Sequence, residues 1–156
     1  MNTNDIMVLG LGLQAPWKLV NQHLDLGKHP HELQLEIAAD RGSQYPCPYC
    51  QQMCSAHDFK EKTWRHLNFF QHHCYINARV PRVKCPEHGI HIINVPWARE
   101  GSGFTMLFEQ AALTLVREMP VKAVSRIVGI TDKRLWRIVF HYVRKALAQV
   151  DYSKVT

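Results

Sequence analysis

The chain has 156 residues, of which 46% are hydrophobic and 21% charged, a composition typical of a folded globular protein. This length accommodates one ordinary domain or a few small ones, and it excludes a large catalytic fold beside other domains. No apolar run approaches the ~18 residues that a membrane-spanning helix needs, and the start of the chain lacks the basic region of a signal peptide. We therefore expect a cytoplasmic protein with no membrane association.

The net charge of +6 is unevenly distributed along the chain. Residues 1–40 carry two Lys or Arg against five acids, residues 41–100 carry eight against four, and residues 101–156 carry nine against four. We therefore expect a polyanionic partner, if the protein has one, to contact the last two thirds of the chain.

Two strands with one polar face are predicted first, at 17–26 and 31–39, on either side of the turn sequence GKHP. The second strand alternates Leu33, Leu35 and Ile37 with polar residues, a pattern that predicts a half-buried β-hairpin. Residues 41–46 are expected to form a loop.

A second pair of strands is predicted at 63–70 and 72–84, where aromatic and β-branched residues are frequent. Pro81 confines the second of these strands to a sheet edge or a bulge, because proline cannot donate a ladder hydrogen bond. A short strand is expected at 90–95, followed by a linker at 96–103 that contains proline and glycine.

The chain after this linker has helical periodicity. A helix over 102–119 ends at Pro120, and a short second helix ends at Gly129. Thr131 is a suitable N-cap for a third helix that continues to about Ala148. The expected inward residues are Phe104, Leu107, Phe108, Ala111, Leu115 and Met119 on the first helix, and Leu135, Ile138, Val139 and Tyr142 on the third.

The five cysteines, in a chain without an export signal, favour metal or redox chemistry over a disulfide framework. Structural zinc is usually bound by two turns that supply two ligands each, and two such turns are present. They contain Cys47 and Cys50 in the first, and Cys85 and His88 in the second, followed by Gly89, which permits a positive φ. The spacer between them exceeds the ~15–20 residues of the common pattern, which predicts a zinc ribbon with an elongated hairpin.

The cysteines also permit two other interpretations. Cys54 and His57 could join Cys47 and Cys50 in a compact local site, which would leave the second turn unexplained. The sequence PCPYC matches half of a zinc-deaminase signature, but no His lies two residues before Glu32 in the upstream half, so a structural metal is favoured over a catalytic one. Cys74 is expected to be a buried apolar residue.

The segment AVSRIVGITDKRLWRI has the pattern of a helix-turn-helix, with small Ser125 where the helices cross and Gly129 at the turn. The alternative is an αα-hairpin of an ordinary bundle. Charge favours DNA binding, because cations share one face of the third helix with few acids between them. The expected contacts are Thr131, Lys133, Arg134, Arg137, His141, Arg144 and Lys145 on this helix, and Arg65, Arg79, Arg82 and Lys84 on the ribbon as a second surface.

The sequence therefore predicts an α+β fold. It has an N-terminal β-hairpin segment at 1–40, a zinc-ribbon-like β module at 41–98 and a three-helix helix-turn-helix domain at 99–150.

The chain resembles the N-terminal region of bacterial insertion-sequence transposases of the ISL-three family. The resemblance rests on CPYC, TWRHLNFFQHHCYINARVPRVKCPEHG, VPWAREGSGFT and MPVKAVSRIVGITDKRLWRIVFHYV, and it covers residues 41–156. It implies that Cys47, Cys50, Cys85 and His88 hold a structural zinc ion and that 121–138 form the helix-turn-helix.

In that family an Asp-Asp-Glu catalytic domain follows, and residues 151–156 resemble the lead-in to it. No residue of this chain is assigned to that triad, so we expect a non-enzymatic, nucleoid-associated bacterial protein that binds the terminal inverted repeats of a transposon as double-stranded DNA. The alternatives are a repressor or dominant-negative regulator that self-associates or pairs with a full-length transposase, and an interaction scaffold that does not bind nucleic acid.

Overall fold

The computed structural model describes residues 3–150, and the expected lead-in at 151–156 lies outside them. It confirms a mixed α+β architecture in which a large sheet precedes a group of helices. The chain divides into two compact units, with the boundary between Phe108 and Glu109. In chain order the elements are α1 (Thr3–Leu11), β1 (Trp17–Asp25), β2 (Glu32–Ala39), β3 (Gln44–Pro46), β4 (Met53–Phe69), β5 (His72–Cys85), β6 (Gly89–Ile92), α2 (Met106–Val116), α3 (Val121–Val128) and α4 (Asp132–Ala148). The sequence analysis did not predict α1.

The six strands form one sheet in the order β1-β2-β5-β4-β3, with β6 also paired to β5. The predicted N-terminal hairpin, β1 and β2, is antiparallel as expected. It joins the second hairpin, β4 and β5, through a parallel pairing of β2 with β5 that aligns Leu35 with Ile76. The N-terminal hairpin and the cysteine-bearing strands are therefore parts of one sheet.

Much of the core of the first unit is formed where β2 and β5 pair. Alternation along β2 buries Leu33, Leu35 and Ile37, as the sequence predicted, and β5 presents buried residues in register with them. The indole ring of Trp97 packs edge-on against those of Trp17 and Trp64, with ring centroids 4.9 and 5.4 Å apart. Trp97 and Ala98, within the predicted linker at 96–103, are therefore buried parts of this core.

Three details of the strands differ from expectation. The expected loop at 41–46 contains the short strand β3, and β4 begins at Met53 rather than at residue 63. Strand β5 lies inside the sheet. Its pairing with β2 ends at Ala78 and its pairing with β6 begins at Arg82, and Pro81 lies between these two segments. The proline therefore occupies the part of β5 where one side makes no ladder pairing, which accommodates its missing N–H.

The helices begin and end within a few residues of the predicted positions, and one residue of a predicted inward stripe is wrong. On α2 the side chain of Leu107 is exposed, whereas Ala112 and Glu109 are buried. The carboxylate of Glu109 accepts a hydrogen bond from the Tyr142 hydroxyl at 3.1 Å, which compensates for burying a polar group. On α4 the burial of Leu135 and Ile138 confirms the predicted inward face.

Candidate metal centre and nucleic-acid interface

Two turns of the same form bring the predicted metal ligands together. In the first, the N–H of Gln51 donates to the carbonyl of Cys47 at 2.9 Å, and Gln51 has a φ of 65°. In the second, Gly89 follows His88 with a φ of 77°, as the sequence predicted. Each turn thus ends in a left-handed residue directly after its second ligand, which directs both side chains of the turn to one side. Gln51 in this role was not predicted.

The four predicted ligand atoms, from Cys47, Cys50, Cys85 and His88, lie within 4.8 Å of one another. A tetrahedral zinc ion with Zn–S bonds of ~2.3 Å and Zn–N bonds of ~2.0 Å would hold two sulfurs about 3.8 Å apart, and a sulfur and a nitrogen about 3.5 Å apart. The Sγ atoms of Cys50 and Cys85 are 3.6 Å apart, and Nδ1 of His88 lies 3.5 Å from Sγ of Cys85 and 3.9 Å from Sγ of Cys47. The cluster therefore has the donor types and the edge lengths of a tetrahedral metal site.

The thiols of this cluster influence each other's ionisation. A hydrogen bond with His88 lowers the pKa of the Cys85 thiol to about 6, which favours the thiolate that a metal requires. A backbone hydrogen bond at Gln52 lowers the pKa of Cys50, but burial and the neighbouring thiols of Cys85 and Cys47 outweigh it and raise that pKa to about 11. Three thiolates this close would repel one another without a cation, so a metal ion would complete the charge balance of the cluster.

Two aromatic side chains near His88 were missed by the sequence analysis. The ring of His91 donates a hydrogen bond from Nε2 to the carbonyl of His88 at 2.6 Å, and the ring of Tyr49 packs edge-on against His91 with centroids 4.6 Å apart. The hydrogen bond fixes the backbone of the second turn, and therefore the position of the His88 ring. The spacing of His91, three residues after His88, was visible in the sequence but had no distinguishing pattern.

The alternative site with Cys54 and His57 is not formed. Cys54 is buried and its thiol donates to the carbonyl of Gln52 at 3.4 Å, whereas His57 is exposed at the bulge between Ala56 and Asp58. Among the described residues, only the group with Cys85 and His88 brings at least three potential ligands together. Cys74 is buried in the core as expected, and burial raises the pKa of its thiol to about 11.

The helix pair α3–α4 is closed at its turn as predicted. Gly129 has a φ of 73° and its N–H donates to the carbonyl of Ser125, while the Thr131 hydroxyl accepts from the N–H of Arg134 at 3.3 Å. The hydroxyl of Ser125 also donates to the carboxylate of Asp132. The one acid in the first turn of α4 is therefore directed towards α3.

The predicted DNA contacts on α4 lie at the surface. Arg134, Arg137 and Arg144 are exposed, and the ring of His141 is half-buried beside them. At 3.6 residues per turn these four positions share one face of the helix. The remaining members of the predicted set, all exposed, are Thr131, Lys133 and Lys145.

One predicted contact on the ribbon is wrong. The side chain of Arg65 is only 5% exposed, donates from Nη2 to Asn68 at 2.8 Å and lies over the rings of Tyr75 and Phe108. A guanidinium packed between aromatic rings cannot reach a phosphate. Sequence reasoning missed this because a strand pattern does not show which cations are covered by elements from elsewhere in the chain.

The other ribbon cations are exposed but do not share one surface. Side chains alternate along a strand, so Arg79 projects from the opposite face of β5 to Arg82 and Lys84. Arg79 lies over the ring of Phe59, and Arg82 forms a two-point ion pair with Asp58. The charge of Arg82 is thus largely compensated within the protein.

In the part of the chain that the structure describes, no helix is long and apolar enough to cross a membrane.

Two known sequence families match consecutive segments of the chain. Residues 43–88 match a sequence family described as the zinc-finger of transposase IS204/IS1001/IS1096/IS1165. Residues 93–143 match the helix-turn-helix domain of transposase family ISL3. No solved structure matches the chain.

Two curated relatives are similar over 90 residues at 31% identity. Both are described as transposase for insertion sequence element IS1557, from the CDC 1551 / Oshkosh and the ATCC 25618 / H37Rv strains of Mycobacterium tuberculosis. The match covers 58% of this chain and 19% of each relative. The two domain matches follow one another in the order that the fold presents them, and the metal cluster lies within the first. The chain is therefore similar, in consecutive segments, to a zinc-finger domain of transposases and to the helix-turn-helix domain of transposase family ISL3.

Proposed function

We propose that this chain is the DNA-binding portion of a transposase and that it recognises the terminal inverted repeats of an insertion sequence as double-stranded DNA. The observation that carries the proposal is the basic face of α4, formed by Arg134, Arg137, His141 and Arg144. A helix with this charge, following a closed turn after α3, suits insertion into the major groove. In the proposal the chain supplies DNA recognition and no catalytic residue.

The first turn of α4 supports a role in reading bases. Thr131 caps the helix with its hydroxyl, and Lys133 and Arg134 are exposed within the same turn. Because Ser125 binds the carboxylate of Asp132, the one acid of this turn is held by α3. Arginine and lysine in such a position can bond the edges of guanine, while Arg137, Arg144 and Lys145 would contact phosphates along the groove.

The metal of the cluster is proposed to be zinc in a structural role. All four tetrahedral positions are supplied by protein side chains, so no position remains for a reacting water molecule, as a catalytic zinc site would need. The ion would join the turn before β4 to the turn between β5 and β6. It would thereby fix the ribbon from which Lys84 projects as an additional DNA contact.

We further propose that α2, α3 and α4 act as one three-helix DNA-binding domain within residues 99–150, next to a zinc-ribbon module at 41–98 and the N-terminal segment at 1–40. The regulatory alternative has the same DNA contacts. It differs in that the bound chain would lower transposition by a full-length transposase supplied in trans.

The proposal is tested by titrating the full chain against a DNA duplex selected by the protein from a randomised pool. Arg137→Ala and Arg134→Ala are each expected to weaken binding about 10- to 100-fold, because a good base or phosphate contact contributes ~1–3 kcal/mol. Wild-type affinity should also fall steeply as salt concentration rises. Lys18→Ala is the matched control, since it removes one exposed cation that forms an ion pair with Asp40 on the hairpin.

Two results would refute the assignment of α4. The first is that both arginine variants retain wild-type affinity and sequence preference, which would place the DNA contact elsewhere. The second is that affinity for the partner does not change with salt, as expected of a scaffold that does not bind nucleic acid.

A further inference from the structure

Helix α4 has an exposed apolar stripe that the DNA-binding proposal does not use. It consists of Trp136, Phe140, Val143 and Leu147, whose exposed fractions are 42%, 53%, 46% and 53%. The rings of Trp136 and Phe140 stack on each other with centroids 5.3 Å apart. Isolated exposed apolar residues are ordinary, but a continuous stripe along a helix marks an interaction surface.

This apolar stripe is separate from the two other faces of α4. Successive residues of a helix are rotated by 100°, so α4 presents three faces roughly 120° apart. One face contains the buried residues Leu135 and Ile138, the second contains the basic residues Arg134 and Arg137, and the third is the apolar stripe. The helix can therefore pack on α3, contact DNA and bind a partner at the same time.

The spacing of the stripe indicates what kind of partner fits. Successive members are separated by four, three and four residues. This is the a/d repeat of a coiled coil, whose period of ~3.5 residues allows side chains of one helix to insert between those of another. We propose that the stripe is a seam at which α4 packs in parallel against α4 of a second copy of this chain.

The charges beside the seam favour the parallel orientation. With Phe140 and Leu147 at a positions, Arg137 and Arg144 occupy e positions, and Val139 and Ala146 occupy g positions. Antiparallel helices would place the e positions of both copies side by side and bring the arginines together. Parallel helices place each arginine beside an apolar g residue of the other copy, where its methylene stem can cover the seam.

The extent of the stripe sets the strength of the association. Its four partly exposed side chains can bury on the order of 400 Å² on each copy, against ~800 Å² per partner in a standard interface. The free chain therefore dimerises with a dissociation constant in the micromolar range. On DNA carrying two adjacent sites, the second molecule would bind more tightly than the first, because its partner is already held nearby. This DNA-linked consequence rests on the proposed function, whereas the dimer itself does not.

The test is sedimentation equilibrium of the full chain across the micromolar range, with Phe140→Glu as the disrupting variant. The variant is expected to weaken self-association at least about tenfold, since a charge would be buried against the partner helix. Val20→Glu, which places the same charge at another exposed apolar side chain, is the control and should dimerise like wild type. Leu147→Glu is the second variant, in case Phe140→Glu alters the circular dichroism of the free chain.

Orientation is tested with residues that the chain already contains. Isotope-labelled and unlabelled copies are mixed and treated with a short amine-reactive cross-linker. Lys133 occupies the a position before Trp136. A parallel pair therefore yields a cross-link between Lys133 of a labelled copy and Lys133 of an unlabelled copy. Cross-links from Lys133 of one copy to Lys145 of the other would overturn the parallel arrangement.

The dimer proposal is overturned if wild type stays monomeric throughout this range, or if Phe140→Glu and Leu147→Glu both associate as wild type does. The DNA-binding proposal fails by a different result. A chain that dimerises through the seam but shows no salt-dependent binding to DNA would remove the proposed function and leave the dimer intact. Phe140→Glu is expected to bind a single-site duplex with wild-type affinity, because the basic face is unchanged.

Discussion

Gln51 and Gly89 occupy equivalent positions, directly after the second ligand of each metal-binding turn, with φ values of 65° and 77°. Only the glycine could be recognised from the sequence, because glutamine rarely adopts a left-handed conformation. The four residues of the cluster were all named from the sequence, since each pair is local to one turn. What the sequence left open was whether the two pairs meet. The separations of 3.6 Å between Cys50 and Cys85 and 3.9 Å between Cys47 and His88 show that they do.

At the residue scale we predict that Cys85→Ser removes stoichiometric zinc from the purified chain. The reason is that three protein ligands with a weak fourth bind zinc far less tightly than a complete tetrahedral set. Metal content by mass spectrometry is the measurement. Cys74→Ser, at a buried cysteine away from the cluster, is the control and should keep its zinc, and equal zinc in wild type and Cys85→Ser would rule out the four-ligand site.

The buried state of Arg65 shows why single residues are difficult to assign from sequence. Nothing in the polarity of its neighbours along β4 distinguishes it from Arg79 or Arg82. Its contact with Phe108 joins positions far apart in sequence. The side chain therefore belongs to the core of the first unit and not to a nucleic-acid surface.

At the scale of elements, the turn between α3 and α4 was predicted in detail because its determinants are local. Gly129 has the left-handed conformation, and Thr131 caps the next helix. The contact between Ser125 and Asp132, by contrast, was not predicted. The sequence identified Ser125 as small enough for a helix crossing but did not show that its hydroxyl binds the acid of the first turn.

We predict that Ser125→Ala lowers the free energy of unfolding by about 1–2 kcal/mol, because the Asp132 carboxylate loses a partly buried donor. The measurement is chemical denaturation of Ser125→Ala, Asp132→Asn and the double variant. A coupling energy of about 0.5 kcal/mol or more between the two substitutions is expected. Strictly additive effects would show that the hydrogen bond contributes nothing to the helix pair.

At the scale of the whole sheet, the parallel pairing of β2 with β5 determines how the N-terminal hairpin is held. Leu35 and Ile76 are aligned across this pairing and neither has measurable exposure to solvent. Each hairpin alone would leave an apolar face open, and pairing them produces a shared core to which Trp97 also contributes.

We predict that Leu35→Ala destabilises the first unit by about 2–5 kcal/mol, the usual cost of a cavity in a tightly packed core. Val20→Ala, at an exposed position on the neighbouring strand, should change stability by no more than about 0.5 kcal/mol. Hydrogen exchange should show β2, β4 and β5 losing protection together in Leu35→Ala. Loss confined to β1 and β2 would mean that the hairpin is a separate folding unit.

The sequence by itself determined the four residues of the candidate metal cluster, the helix-turn-helix, the strand pairs and the resemblance to transposases. Each of these depends on residues a few positions apart, whose spacing follows from the geometry of a turn, strand or helix. Only the tertiary structure decided that the two hairpins form one sheet, that Trp97 and Ala98 are buried, and that Arg65 is buried. These features depend on contacts between residues distant in the chain. The local pattern of polarity in a segment does not show which distant element will pack against that segment.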